Sequence, residues 1–137
     1  MLNSVEKAAQ KHKKGYNCCQ AVACALSDKL GVDEKTLFVV GEGFGLGFGG
    51  MQGVCGALSG ATIAAGVKNS CGDLENPNSK AATYKLSKQM VEKFKEKAGS
   101  CICKELKGVE TGKVLCSCPE CIRIGVEVAE EVLGLED

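Results

Sequence analysis

The chain has 137 residues, a formal net charge of zero, no Trp and ten Cys. A chain of this length can bury a sizeable core, so we expect a single cysteine-rich helical domain over residues 1–137. The balanced charge and few aromatic residues argue against nucleic-acid binding, and the longest uncharged apolar run, residues 54–67, is too short for membrane insertion.

The start of the chain bears on the compartment. Met1 is followed by Asn3, Glu6 and Lys7 rather than by an apolar stretch, so we expect no export signal and a cytoplasmic location. Cytoplasmic thiols are normally reduced, and clustered cysteines there more often bind a metal or cycle catalytically than form structural disulfides.

The first third of the sequence predicts helices separated by glycines. Residues 4–14 favour a helix that ends at Gly15, and Asn17 is a suitable N-cap for a second helix, which Gly31 ends. Cys18 and Cys19 fall in the first turn of this second helix. Its Cys24 is predicted to point away from the apolar face, among polar side chains.

A glycine-rich loop follows at residues 41–53, where seven of thirteen residues are Gly. It lacks the dinucleotide-binding fingerprint, so close packing is the preferred interpretation, with Phe44, Leu46 and Phe48 anchoring the loop. Residues 54–67 are uncharged and predict a central buried helix. Gly56 and Gly60, four residues apart, would let another backbone approach it closely.

The second half of the sequence predicts two long helices. Asn76 and Pro77 have the pattern of a helix start, and that helix would run to residue 97 before Gly99. A last helix is expected from near Cys118 to Leu133. We therefore predict an all-α fold, a compact bundle of about five to six helices around a central helix of small residues.

Several cysteines fall where helices are predicted to begin: Cys18, Cys55 and the group Cys116, Cys118 and Cys121. Free N–H groups and the partial positive charge of a helix start favour a thiolate, which is both nucleophile and metal ligand. Lys104 and Lys107 would act in the same direction on Cys103. The 118–121 segment is similar to a thioredoxin-type pair, but no strand–helix–strand pattern surrounds it.

Other residues are given no chemical role. His12, the only histidine, lies among lysines, so we expect it to be solvated and exclude histidine-assisted cysteine catalysis of the protease type. Cys24 and Cys71 lie on polar stretches and are expected to be incidental.

Four segments carry a resemblance to a known family. These are Gly15-Tyr-Asn-Cys18-Cys-Gln-Ala-Val22, the glycine loop with Cys55-Gly-Ala-Leu-Ser-Gly60, Cys103-Lys-Glu-Leu106-Lys-Gly108, and Cys121 with the helix that follows. Together they resemble the C_GCAxxG_C_C family, whose label names redox activity. The resemblance implies a small helical domain with Cys18, Cys55, Cys103 and Cys121 as its defining cysteines.

We expect these four cysteines to converge near one end of the central helix. Three hypotheses about their role follow. The first is a redox-active thiol centre, working either by disulfide exchange as a thiol-based oxidoreductase or by electron transfer through an iron–sulfur cluster. In exchange, Cys55 would be the nucleophile and Cys103 or Cys121 its resolving partner. In the cluster, the thiolates of Cys18, Cys55, Cys103 and Cys121 would ligate iron.

The second hypothesis is a structural or sensing zinc-binding protein without catalysis. The third is a helical interaction domain with incidental cysteines. A redox partner protein is expected but not identified by the sequence, and neither is the oligomeric state. Which members of the closely spaced sets are used also stays open: Cys18 or Cys19, Cys101 or Cys103, and Cys116, Cys118 or Cys121.

Overall fold

The computed structural model of the chain describes residues 2–135, so Met1 and residues 136–137 of the predicted domain lie outside it. The described part contains eight α-helices. In chain order they are α1 (Ser4–Lys14), α2 (Cys18–Ala25), α3 (Ser27–Leu30), α4 (Glu34–Gly41), α5 (Gly56–Asn69), α6 (Lys80–Ala98), α7 (Cys103–Lys107) and α8 (Cys118–Leu133). Residues 2–135 contain no β-strand, and the all-α prediction is confirmed.

The helix ends follow local capping chemistry. The Asn17 side chain accepts the backbone N–H of Gln20 at 2.9 Å, and the Gln20 side chain accepts the backbone N–H of Asn17 in return. Gly15 and Gly31, at φ of 121° and 69°, end α1 and α3 as predicted. The helix expected after Asn17 is divided in two at Leu26, which together with the short helices α4 and α7 brings the count to eight instead of the predicted five to six.

Helix α5 is the central helix, packed against α2, α6 and α8. A Cβ on Gly60 would lie 2.8 Å from the Cys19 carbonyl oxygen and 2.9 Å from Val22 Cβ in α2. On another side, a Cβ on Gly125 of α8 would lie 2.7 Å from the Ala57 carbonyl oxygen. The predicted close approach of a second backbone is thus confirmed, and glycines of two helices make it possible.

The apolar faces of α6 and α8 complete the core around α5. Met90 and Phe94 of α6 and Val126 of α8 are fully buried, and Ile122 is 2% exposed. Burial of each such side chain contributes about 1.5–3 kcal/mol to folding. No helix within residues 2–135 is both long enough and apolar enough to span a membrane.

The predicted start of α6 is wrong. The helix begins at Lys80 with Ser79 as N-cap, rather than near Asn76 and Pro77. The Asp73 carboxylate accepts the backbone N–H of Asn76 at 3.2 Å, so that residue belongs to a turn of the preceding loop.

The glycine-rich loop packs in the opposite sense to the prediction. Its bulky residues Leu46 and Phe48 are 46% and 58% exposed, whereas Gly47 is buried. A Cβ on Gly47 would lie 2.6 Å from Cys103 Cβ, so the missing side chain creates the contact with α7. Gly45 and Gly47 are buried and join this loop to the rest of the fold, and of the three predicted anchors only Phe44 is half-buried.

Candidate thiol site

A cavity of about 200 Å³ lies at the N-terminal end of α5. Six cysteines line it: Cys18, Cys55, Cys103, Cys116, Cys118 and Cys121. The structure therefore brings together all four cysteines predicted as site residues, although their positions span more than 100 residues of sequence. It adds Cys116 and Cys118 to the same cavity.

Four helices begin at this cavity, which is why their sulfurs meet there. Cys18, Cys103 and Cys118 are the first residues of α2, α7 and α8, and Cys55 is the N-cap of α5. The backbone N–H of Cys55 donates to the Cys101 carbonyl at 2.7 Å, and the N–H of Cys103 donates to the Gly53 carbonyl at 3.0 Å. These two bonds hold the starts of α5 and α7 side by side.

Cys55 and Cys121 form a buried pair. Their side chains are 5% and 2% exposed. The Cys121 thiol donates to the Cys116 carbonyl at 3.7 Å. Its interaction with the Cys55 side chain, together with the N–H groups of Ala57 and Leu58, lowers the pKa of Cys55 to about 7. The same interaction, with burial, raises the pKa of Cys121. The pair is thus poised as a thiolate beside a thiol.

Cys18 and Cys118 form a second, partly exposed pair. Hydrogen bonding from the Cys18 thiol lowers the pKa of Cys118 to about 5, and the Lys107 ammonium, which donates to Cys118 Sγ at 3.2 Å, acts in the same direction. The pKa of Cys18 is raised by its interaction with Cys118 and by burial. In each pair one cysteine belongs to α8: Cys121 interacts with Cys55, and Cys118 with Cys18.

His12 also lines the cavity, which corrects the prediction that it is solvated. It is partly buried near the end of α1, and its charge contributes to lowering the pKa of Cys118. The neighbouring lysines in the sequence do not indicate where His12 lies, because a helix directs consecutive side chains to different faces.

Backbone strain lies on one rim of the cavity. Leu46, which lines it, has φ of 54°, and Phe48 and Met51 nearby have φ of 65° and 64°. Residues other than Gly rarely adopt this left-handed backbone region, and such strain concentrates at functional sites.

A family comparison agrees with this arrangement. The family model described as "Putative redox-active protein (C_GCAxxG_C_C)" matches residues 16–132, a range that contains every cavity cysteine. The chain belongs to the C_GCAxxG_C_C family. No curated protein and no solved structure matches it.

The sequence did not predict the contact between Lys107 and Cys118. Lys107 was expected to act on Cys103, one helical turn away. The Lys107 charge does lower the pKa of Cys103, but burial has the larger effect, so the pKa of that thiol is raised. The Lys107 side chain instead extends from the end of α7 to the start of α8, a tertiary contact that no local pattern encodes.

The cysteines away from the cavity differ among themselves. Cys24 is 2% exposed and donates to the Glu34 carbonyl at 3.6 Å, so the prediction that it points to a polar surface is wrong. Leu37 of α4 covers the side of α2 that carries Cys24, and every residue of α2 after Cys18 is buried. Cys19 is fully buried, and burial raises its pKa to about 12. Cys71 is exposed, in the loop before α6.

The structure shows no preformed group of metal ligands within residues 2–135. All ten cysteines are free thiols. No three His, Cys, Asp or Glu side chains in that part of the chain are positioned to hold one metal ion together. An iron–sulfur cluster or a structural zinc ion requires about four convergent ligands.

Proposed function

We propose that the protein is a thiol redox protein that works by disulfide exchange, with Cys55 as nucleophile and Cys121 as resolving thiol. The observation that carries this proposal is the buried pair: Cys55 and Cys121 are both buried, line the same cavity and interact through their side chains. The family description, with its redox activity, points to the same class of chemistry.

The exchange proceeds in two displacements. The Cys55 thiolate attacks one sulfur of an incoming disulfide, forming a mixed disulfide and releasing one thiolate. Cys121 then loses its proton to that thiolate and attacks the Cys55 sulfur, which releases the second thiolate. The incoming disulfide gains two electrons, and Cys55 and Cys121 lose two as they form a disulfide.

The properties of Cys55 suit this reaction. Its pKa of about 7 lies near neutral pH, where an attacking thiol combines a large thiolate fraction with good nucleophilicity. Cys103, also in the cavity, has no side-chain hydrogen bond with Cys55 comparable to that of Cys121, which favours Cys121 over it for the resolving role. A disulfide-bearing redox partner in a reducing compartment such as the cytoplasm would accept the two electrons, and a dithiol partner would supply them in the reverse reaction.

Disulfide exchange is preferred to a metal centre because of the arrangement of the sulfurs. A [4Fe–4S] cluster or a zinc ion would need the side chains of Cys18, Cys55, Cys103 and Cys121 to converge on one point. Within residues 2–135 no three such ligands are positioned to hold one ion, so the zinc alternative would require these side chains to rearrange.

The test is a redox titration of the purified protein over about −320 to −180 mV, the range of cellular thiol couples. Thiols are trapped by alkylation at each potential, and disulfides are located by peptide mass spectrometry. We expect a reversible Cys55–Cys121 disulfide in the wild type and in the control Cys71→Ser, and none in Cys55→Ser or Cys121→Ser.

Two results would contradict the proposal. One is the absence of a Cys55–Cys121 disulfide at every potential in a folded wild-type protein. The other is stoichiometric iron or zinc in anaerobically purified protein that is lost in Cys55→Ser, which would favour a metal centre instead.

A further inference from the structure

The two sulfur pairs differ in how a large disulfide could reach them. Cys55, Cys103 and Cys121 are each 5% exposed or less, and the cavity in front of them holds about 200 Å³. Exchange requires the attacking sulfur to approach the disulfide in line, so access limits the reaction. Of the two pairs, only Cys18 and Cys118 are partly exposed.

The partly exposed pair also carries a cation in contact with sulfur. The Lys107 ammonium lies 3.2 Å from Cys118 Sγ. Lys107 is the last residue of α7, and Gly108, at φ of 69°, ends the helix directly after it. The turn at Gly108 therefore fixes the point from which the lysine reaches the start of α8. A cation at this distance stabilises a thiolate and orients it.

The two pairs adjoin each other. Cys118 and Cys121 are three residues apart on α8 and so lie on the same side of that helix. Across the cavity, a Cβ on Gly56 would lie 3.2 Å from Cys18 Cβ, so Cys18 packs directly against the residue that follows Cys55. A disulfide formed between Cys18 and Cys118 would therefore form next to the buried pair.

We propose that Cys118 is the first thiol to react with an external disulfide, and that the disulfide then passes from Cys18–Cys118 to Cys55–Cys121. Lys107 is the positioning residue for Cys118. This inference rests on the proposed function of the buried pair and adds the path by which that pair is oxidised.

Each step balances. The Cys118 thiolate attacks the external disulfide and releases one thiolate, after which Cys18 attacks the Cys118 sulfur, releases the second thiolate and gives up its proton to it. The Cys55 thiolate then attacks the Cys18 sulfur of the Cys18–Cys118 disulfide and releases the Cys118 thiolate. Cys121 attacks the Cys55 sulfur, releases the Cys18 thiolate and gives up its proton to it. The products are the Cys55–Cys121 disulfide, the Cys18 thiol and Cys118 thiolate as at the start, and the reduced external dithiol or pair of thiols.

The experiment uses oxidised glutathione as the external disulfide and the full, reduced chain. Reactions are stopped with acid, alkylated and mapped by peptide mass spectrometry over time. Among the six cavity cysteines, we expect the earliest glutathione adduct on Cys118. In Cys118→Ser we expect the Cys55–Cys121 disulfide to form at least tenfold more slowly, with its equilibrium position changed less than threefold.

Lysine variants test the positioning role and stay informative if Cys118→Ser fails to fold. Lys107→Met should slow the first adduct about tenfold, and Lys107→Arg should restore the rate to within about threefold because it keeps the cation. Lys104→Met is the matched control, since it removes the same charge from the same helix, where Lys104 pairs with Glu110. A rate in Lys107→Met equal to that of the wild type would overturn the positioning role.

The outcomes separate this inference from the proposed function. If Cys118→Ser forms the Cys55–Cys121 disulfide at the wild-type rate, or if the earliest adduct lies on Cys55, the path through Cys118 is overturned while the buried pair stays active. If the Cys55–Cys121 disulfide is absent at equilibrium in the wild type, the proposed function itself fails.

Discussion

Cys18 and Cys19 are adjacent in sequence and lie in two chemically different regions. Cys18 lines the cavity and interacts with Cys118. Cys19, the next residue of α2, is fully buried, and its sulfur lies beside Gly41 of α4. In the cavity, cations and thiol donors outweigh burial at Cys118, the partner of Cys18. In the region between α2 and α4, burial acts nearly alone on Cys19. The comparison shows that the direction of a side chain on its helix, and not the density of cysteines in the sequence, decides which sulfur has a reactive partner.

The largest expected difference between the two regions is in alkylation at neutral pH. The pKa of Cys118 is lowered to about 5, while the pKa values of Cys19 and Cys24 are raised to about 12 and about 11. Because the thiolate is the nucleophile, Cys118 should react with iodoacetamide at least about 100-fold faster than Cys19 or Cys24 in the folded protein. Mass spectrometry of each cysteine peptide over time measures this ratio.

Urea-unfolded protein is the control, and there the three rates should converge to within about threefold. Equal rates for Cys118 and Cys19 in the folded state would show that the environments of the cavity and of the apolar region do not differ as described. That result would also remove the physical basis for assigning reactivity to the cavity.

Local chemistry made the helix boundaries near the cavity predictable. Asn17 caps α2, and Gly15 and Gly31 end α1 and α3, because capping depends on residues within one turn. The convergence of sulfurs at helix starts could be anticipated for the same reason. Gly56 and Gly60 likewise indicated the side of α5 that another backbone approaches.

The pairing of the sulfurs was not predictable from spacing. The 118–121 segment suggests that Cys118 pairs with Cys121, yet Cys118 interacts with Cys18, and Cys121 with Cys55. These partners depend on how α2, α5 and α8 pack, which is set by contacts distant in sequence. The burial of Cys24 escaped prediction for the same reason, since α4 covers it.

Packing at the glycines of α5 gives the next largest effect. Gly60→Ala should lower the free energy of unfolding by about 1–3 kcal/mol, because the new Cβ would lie 2.8 Å from the Cys19 carbonyl oxygen. The same contact holds α2 at the cavity, so we also expect slower formation of the Cys55–Cys121 disulfide. Urea unfolding of the reduced proteins measures the stability change.

Gly66→Ala is the matched control on the same helix. No atom lies within 4 Å of a Cβ at this position, so the substitution should raise the free energy of unfolding by about 0.5–1 kcal/mol through helix propensity alone. Destabilisation of similar size by both substitutions would mean that intrinsic helix effects, and not the contact between α5 and α2, determine the result.

The smallest expected effect is a pH dependence of stability with opposite signs in the two regions. The folded-state pKa of Cys118 is about 5, below the ordinary value of about 8.5 for a thiol, so its thiolate stabilises the fold above pH 8.5 and that contribution is lost as pH falls toward 5. The folded-state pKa of Cys24 is about 11, so its neutral thiol contributes below pH 8.5 and the contribution is lost as pH rises toward 11.

Substitution should therefore remove opposite slopes from the two regions. The stability difference between wild type and Cys118→Ser should grow by about 1 kcal/mol from pH 5 to 8.5, a value reduced for solvent screening because Cys118 is partly exposed. The difference between wild type and Cys24→Ala should instead shrink from pH 8.5 to 10, because the wild type alone loses stability there. Slopes of the same sign in reduced protein would contradict the contrast between a cavity that stabilises thiolates and an apolar region that stabilises thiols.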